Sequence, residues 1–390
     1  MWWMVGLWLS PAGIPEDVPS MWSDDVLLAR YAPEVHLTTY CTDGSGTGCD
    51  WTRPSSIDWY LRPGVPDVGA AMRYNKFGSD KSVASPGTLT AATLTTQSYD
   101  GKSPSAKGST DETGEPFFLQ PRRGTGSGSD FNAMHHGVYG GAQGWNPTLF
   151  PTDGAGASTS ALAALSISPD AEPGAGAWVM YATVRPTSRF GAHGAVRDLQ
   201  YWTFYPYDDA DAGFNHESDW EHVTIGVDEG NNPKVLFMSE HNGGTLFLQD
   251  HSAGCASGWV SQYTMRVNKQ SKRVCLRRST DDRAPGAWHM MAWSADGTHA
   301  LFPDDCGGTC TWSSPNGAQD DTTTLVGPVW RPWRTSPQGG NLAVVTDDTD
   351  WVTYAGLWGE VGISDLTSGK WGPRWQDWGA GPDSNPNGPM

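Results

Sequence analysis

The chain has 390 residues, a formal net charge of −18 at pH 7 and a pI near 4.8. That excess of carboxylates opposes docking on nucleic acid or on anionic lipid head groups, and it suits cation binding. With 48 glycines, 28 prolines and 11% aromatic residues, the composition points to many turns and short strands rather than long helices.

In chain order, residues 2–9 (WWMVGLWL) form an apolar run that ends at Ser10-Pro11-Ala12-Gly13. It is too short to span a bilayer and reads as a signal-peptide remnant or an aromatic tail, so residues 1–28 are set apart as a leader or tail. No window keeps a helical apolar period over several turns; the best short helices are Asp24–Tyr31 and Ser158–Leu165. A strand-like segment follows at 29–37, then a cysteine-closed loop and RPSSIDWYLRPG at 53–64. Residues 81–130, rich in Ser, Thr, Gly and Asp, read as a loop-rich insertion rather than core. The dense β region opens with Ala177–Val184 and continues with alternating strands at 198–207 and 219–227. Strands at 235–239 and 245–248 bracket the turn signal SEHNGG, and a cysteine-bearing excursion covers about 251–285. Further strand candidates lie within 289–303 and at 327–330, 342–348 and 351–359, before a Pro/Gly/Asn-rich tail at 379–390. The pattern predicts an all-β fold: one antiparallel β-sandwich domain over 29–378, with long loop insertions and few short helices.

Six cysteines fall as three near neighbours, Cys41/Cys49, Cys255/Cys275 and Cys306/Cys310. An even number in Gly-rich loops predicts local disulfides in an oxidising, extracytoplasmic compartment, and no zinc-finger spacing is present. Twenty-one tryptophans exceed what a core alone requires. Most are expected between sheets and under loops, and any that are exposed suit stacking on sugars or a membrane interface.

The most informative run is 198–227, DLQYWTFYPYDDADAGFNHESDWEHVTIGV. Alternation puts Asp219, Glu221, Val223 and Ile225 on one face of the second strand. His216 enters just before that strand, and Asp208 and Asp209 leave the end of the first. Carboxylates packed together need a cation, a shared proton or open solvent. Oxygen-rich ligation with one imidazole suits Ca2+, Mg2+ or Mn2+ better than a thiolate-type zinc site.

Several segments resemble the vacuolar protein sorting-associated protein 62 family. They are Arg30–Val35, Pro54–Trp59, Asp198–Tyr207, Ser218–Thr224, Ser239–Gly244, Gly297–Pro303 and Trp351–Gly359, in the family's order across most of residues 30–359. The central motif is similar to that of the necrosis- and ethylene-inducing peptide-like cytolysins, whose Gly-His-Arg-His-Asp-Trp-Glu signature is read here as Asn215-His-Glu-Ser-Asp-Trp-Glu221. The resemblance implies a divalent cation on a β-sandwich held by Asp208, His216, Asp219 and Glu221, the four residues already singled out. It also likens Ser239-Glu-His241 to a segment near that metal. Asn215, Glu217 and Ser218 replace the signature's Gly, Arg and second His, which leaves the ligands intact, so the resemblance does not by itself carry over the toxins' lipid specificity.

The resulting expectation is a secreted, divalent-cation-dependent binder of a lipid head group or carbohydrate surface, cytolysin-like, with His241 and His299 at the rim of the site. Two alternatives stand beside it. One is a metal-assisted hydrolase with His241 or His299 as acid or base, for which no G-x-S-x-G, H-E-x-x-H or phosphate-binding loop is present. The other is a structural metal with an unrelated binding role.

Overall fold

The structure, a computed structural model, describes residues 22–38, 53–61, 63–64, 68–76, 79–105, 117–123, 178–187, 190–208, 216–240, 243–279, 288–313, 320–324, 327–333, 335–336, 339–340, 342–359, 361 and 368–373. The N-terminal apolar run, Cys41, Cys49, Ser158–Leu165, Asp209, Asn215, His241 and the tail lie outside the described residues.

Helix α1 spans Asp24–Tyr31, as the sequence predicts. Asp24 and Asp25 in its first turn and Arg30 in its last suit the helix dipole, and Leu27, Leu28 and Tyr31 face the core. The helix takes up the start of the strand-like 29–37 segment, because Pro33 stops helical hydrogen bonding and leaves only Glu34–His36 as β1. Helix α2 is Ile57–Leu61. Strands β2 (Val68–Lys76), β3 (Ser79–Ala84), β4 (Phe117–Arg123) and β5 (Met180–Pro186) follow, then β6 (Arg197–Asp208), β7 (His216–Val227), β8 (Pro233–Glu240) and β9 (Gly243–Gln249). Short strands complete the chain: β10 (Trp259–Ser261), β11 (Met265–Val267), β12 (Gln270–Lys272), β13 (Met291–Ser294), β14 (Leu301–Phe302), β15 (Thr309–Ser313), β16 (Asp320–Thr324), β17 (Val329–Trp330), β18 (Thr335–Ser336), β19 (Gly339–Gly340) and β20 (Leu342–Val344).

The protein is an all-β fold built mainly from antiparallel pairings. A seven-stranded sheet runs β10-β9-β8-β7-β6-β5-β20, in which only the β5–β20 pair is parallel. A four-stranded sheet, β14-β13-β1-β17, packs on one of its faces. There Leu199, Tyr201, Val223, Ile225, Leu236 and Met238 meet Val35, Ala292, Leu301 and Trp330. The other face is covered too: Trp202, Phe204, Trp220 and Tyr181 pack with Ala70, Met72, Tyr74, Phe117 and Leu119 of the β3-β2-β4 sheet. The sandwich therefore has a third layer over its central strands. Two-sided cover explains why β7 is buried along its whole length and β6 at every residue but Arg197. A further sheet, β12-β11-β15-β16, has its own small core of Val267, Ala295, Ala300, Phe302, Cys310 and Trp312.

The 81–130 stretch carries more structure than its composition suggests. It holds most of β3 and all of β4, and Leu89, Leu94, Phe117, Phe118 and Leu119 are buried. Residues 351–359, expected as a strand, instead open with a 3-10 turn at Asp350–Thr353 and continue irregularly. Trp351, at the turn, and Tyr354 and Trp358, beyond it, all insert into the second core. Among the described residues no helix is long and apolar enough to cross a membrane.

Candidate functional site

The site lies at the loop end of the β6–β7 hairpin, where β6 finishes at Asp208 and β7 starts at His216. Antiparallel register sets Thr203 opposite Glu221, Tyr205 opposite Asp219 and Asp208 opposite His216. Asp219 and Glu221 share the face that continues through Val223 and Ile225 into the first core, as alternation predicts. His216 is the first residue of the strand, which begins before the Asp219 start that the sequence suggests.

Strict alternation would also place Glu217 with Asp219. It does not lie there. A Cβ on Gly359 would collide with Glu217, and the charge of Glu217 acts on Tyr60, whose hydroxyl donates to Trp358 O at 2.5 Å. Glu217 thus belongs to the side of the second core. The break falls at Ser218, whose φ of 62° is left-handed, a conformation uncommon for any residue with a side chain. Ser218 Oγ accepts from Lys370 N at 3.2 Å, which ties this turn to the C-terminal segment. Past the break, His216 lies close enough to Asp219 for its charge to favour the carboxylate.

Asp208, His216, Asp219 and Glu221 are all buried. His216 Nε2 is 2.9 Å from Asp208 Oδ2, and His216 Nδ1 is 2.8 Å from the carbonyl oxygen of Ser218. A carbonyl can only accept, so Nδ1 carries a proton and donates. Nε2 then faces a carboxylate oxygen and needs either a second proton or a cation shared with it. Asp208 Oδ1 is buried with no hydrogen-bond partner among the described residues.

Asp219 is approached from the neighbouring sheet by His299, whose Nδ1 lies 3.2 Å from Asp219 Oδ2. Burial opposes ionisation of Asp219, but the hydrogen bond and charge of His299, with His216 and Lys370 nearby, outweigh it and hold its pKa below the ordinary carboxylate value. The His299 ring stacks on Tyr205 with centroids 3.8 Å apart and planes 7° apart. It is 0% exposed, so it supports the site from beneath and does not form the rim expected of it. Glu221 Oε2 accepts from Ser239 Oγ, which in turn accepts from His222 N at 2.7 Å.

The four expected ligands therefore arrive as an Asp208–His216 pair beside Asp219, with Glu221 tied to Ser239. Among the described residues no three His, Cys, Asp or Glu side chains are grouped so as to hold a metal ion. The donor chemistry nevertheless fits a hard divalent cation. Cis ligands of such an ion at ~2.1 Å lie about 3 Å apart, the Asp208–His216 separation, and a metal-bound histidine ordinarily donates its other ring nitrogen to a carbonyl or carboxylate. Sequence reasoning placed Ser239 near the site only by resemblance and missed it as the Glu221 partner. It also missed Ser218 as the residue that resets the strand, because a motif spells neither a side-chain contact across strands nor a backbone dihedral.

Cys255–Cys275 and Cys306–Cys310 are disulfides, as their spacing predicts. Among the described residues the tryptophans are mostly packing residues: Trp178, Trp202, Trp220, Trp259, Trp293, Trp312, Trp330, Trp351, Trp358 and Trp371 are buried, and none is an exposed large hydrophobic.

No family model and no curated protein matches the chain, so the resemblance to the vacuolar protein sorting-associated protein 62 family is without support. Among solved structures the chain is similar to necrosis and ethylene inducing protein 2 from the causal agent of cocoa's witches' broom disease. The identity is 9% and the TM-score 0.27, over 84% of this chain and 76% of that one. It is also similar to a structure described as a toxin fold for microbial attack and plant defense, with 14% identity and a TM-score of 0.20 over 45% of this chain and 66% of that one. NLPPya in complex with glucosamine aligns with 15% identity and a TM-score of 0.19, over 45% of this chain and 67% of that one. Superposition this loose leaves the chemistry of the site to be argued from its own residues.

Proposed function

We propose that the loop end of the β6–β7 hairpin is a divalent-cation site through which the protein binds a lipid head group or carbohydrate surface. One observation carries the reading. His216 has its Nδ1 proton committed to Ser218 O, while Nε2 faces Asp208 Oδ2 and the second Asp208 oxygen is buried without a partner among the described residues. A cation between Asp208 and His216 satisfies all three atoms together. Rotations of Asp219 and Glu221 complete its coordination, and an oxygen of the bound head group or sugar takes an outward position. Ca2+, Mg2+ and Mn2+ all suit these donors. With the chain at −18, a bridging cation is also what lets an anionic surface approach closely.

Two disulfides support placement in an oxidising, extracytoplasmic compartment. The hydrolase reading is weaker for His299, which is fully buried and cannot reach a substrate.

The test is binding of the intact chain to sphingolipid-containing vesicles and to immobilised glycans, in millimolar Ca2+ or Mn2+ and in EDTA, with His216→Ala alongside. Binding that needs the cation and is lost in the variant supports the reading. Binding indifferent to chelator and variant makes the metal structural or absent.

A further inference from the structure

His299 meets Asp219 from a loop whose shape is imposed from elsewhere. The residue is left-handed, with φ 58°, and follows Gly297 at φ 74°, so the β13–β14 connection turns back tightly on itself. A histidine in that conformation persists only where its surroundings dictate it. Part of the constraint is local: His299 N donates to Ala295 O at 3.2 Å, Ala295 N to Ala300 O at 2.9 Å, and Ser294 Oγ to His299 O at 3.4 Å. The rest comes from the small sheet. Thr298 Oγ1 donates to Asp321 Oδ1 of β16 at 2.8 Å, with both residues buried, and Asp296 N donates to Thr322 O at 2.9 Å. Ala295, Ala300 and Phe302, on either side of the loop, pack with Cys310 and Trp312 of β15. The Phe302 and Trp312 rings stack at 4.9 Å, and the Cys306–Cys310 bridge closes the connection from β14 to β15.

The buried Thr298–Asp321 bond lies one residue from His299 and, with the Asp296 N–Thr322 O bond and the shared apolar core, ties the β13–β14 loop to β16. We propose that Asp321 and Thr298 are positioning residues for the candidate site. Their bond holds the left-handed His299 in place, and His299 in turn sets the Asp219 carboxylate towards His216. The β12-β11-β15-β16 sheet is thereby the clamp of a recognition site built on the central sheet. The proposal rests on the reading of that site as a cation site, although its first step, the placing of His299, stands without a metal.

The experiment uses the full chain with isotopically labelled histidine, the wild type and the variants Thr298→Val, Thr298→Ser and Asp321→Asn. Ring-nitrogen NMR shifts of His299 report its hydrogen bond to Asp219 in the absence of metal, and Mn2+ titration reports the site. Thr298→Val removes the donor at nearly constant volume and is expected to shift the His299 ring signal and to weaken Mn2+ binding about tenfold, the lower end of the range for partners outside the ligand set. Thr298→Ser keeps the donor and Asp321→Asn keeps an acceptor oxygen, so both are expected to behave as wild type. An unchanged His299 signal in Thr298→Val overturns the proposal, and so does a changed signal with unchanged Mn2+ affinity. If the wild type binds no Mn2+, the cation reading fails by itself, and the ring signal alone decides whether Thr298 positions Asp219. Should Thr298→Val lose the whole fold, Asp321→Ala tests the same bond from its other end. Loss of the fold there as well makes the bond a general support and overturns the proposal.

Discussion

At Ser218 a strand takes a left-handed residue in mid-course, and the chemistry of the hairpin end depends on it. Ser218→Val puts a β-branched side chain where φ is 62° and is expected to cost about 1–3 kcal/mol, measured by urea unfolding. Ser218→Gly relieves the backbone but gives up the acceptor for Lys370 N, so it should lie close to wild type. Asp219→Asn is expected to weaken stabilisation by Ca2+ or Mn2+ markedly, since an amide oxygen can still ligate but lacks the negative charge of the carboxylate. Equal melting temperatures of the wild type in EDTA and in excess cation would refute the site. Glu34 makes a separate prediction. Burial opposes its ionisation, but His36, Ser279 and Arg331 outweigh this and lower its pKa from 4.5 to about 2. A carboxylate depressed on folding stabilises the protein above its unfolded pKa and loses that contribution as pH falls. Unfolding free energy should therefore drop between pH 4.5 and about 2, and Glu34→Gln should flatten that slope while destabilising the protein at neutral pH.

Among the elements, the β6–β7 hairpin joins the two cores. Trp220 faces the second core, with Phe204 at 4.8 Å and Trp351 and Trp358 each at 5.5 Å between ring centroids, while its neighbour Asp219 faces the other layer. Trp220→Ala is expected to cost about 3–5 kcal/mol by cavity formation, seen as a lower urea midpoint with little change in slope. The cysteine-bearing loops act locally. Non-reducing peptide mapping should find 255–275 and 306–310 as separate bridges and, from its spacing, 41–49 as a third. Links between these pairs would refute the assignment. Opening the Cys255–Cys275 bridge, which spans 20 residues, should cost about 3 kcal/mol.

For the whole molecule, the charge of −18 and the buried carboxylates of one hairpin end point the same way: close approach to an anionic surface needs cations. If a cation binds only the native state, raising it to a hundred times its Kd should stabilise the fold by about 2.7 kcal/mol, read as a rise in Tm that saturates. Much of the architecture was legible in the sequence. Alternation at 219–227 predicted which side chains face the first core, turn residues marked the β8–β9 hairpin, and cysteine spacing predicted both observed bridges. These signals are local, with a period of two residues in a strand or a loop closed by near neighbours, and sequence order alone carries them. Only the tertiary structure decided that the central sheet is covered on both faces, because a second covering layer leaves no period in the strands it covers. It likewise decided that Glu217 turns away from Asp219 and that His299 lies beneath the site. The first follows from one left-handed residue, and the second from a loop set by another sheet 80 residues along the chain. Neither a backbone dihedral nor a contact at that separation is written in the spacing of residue types.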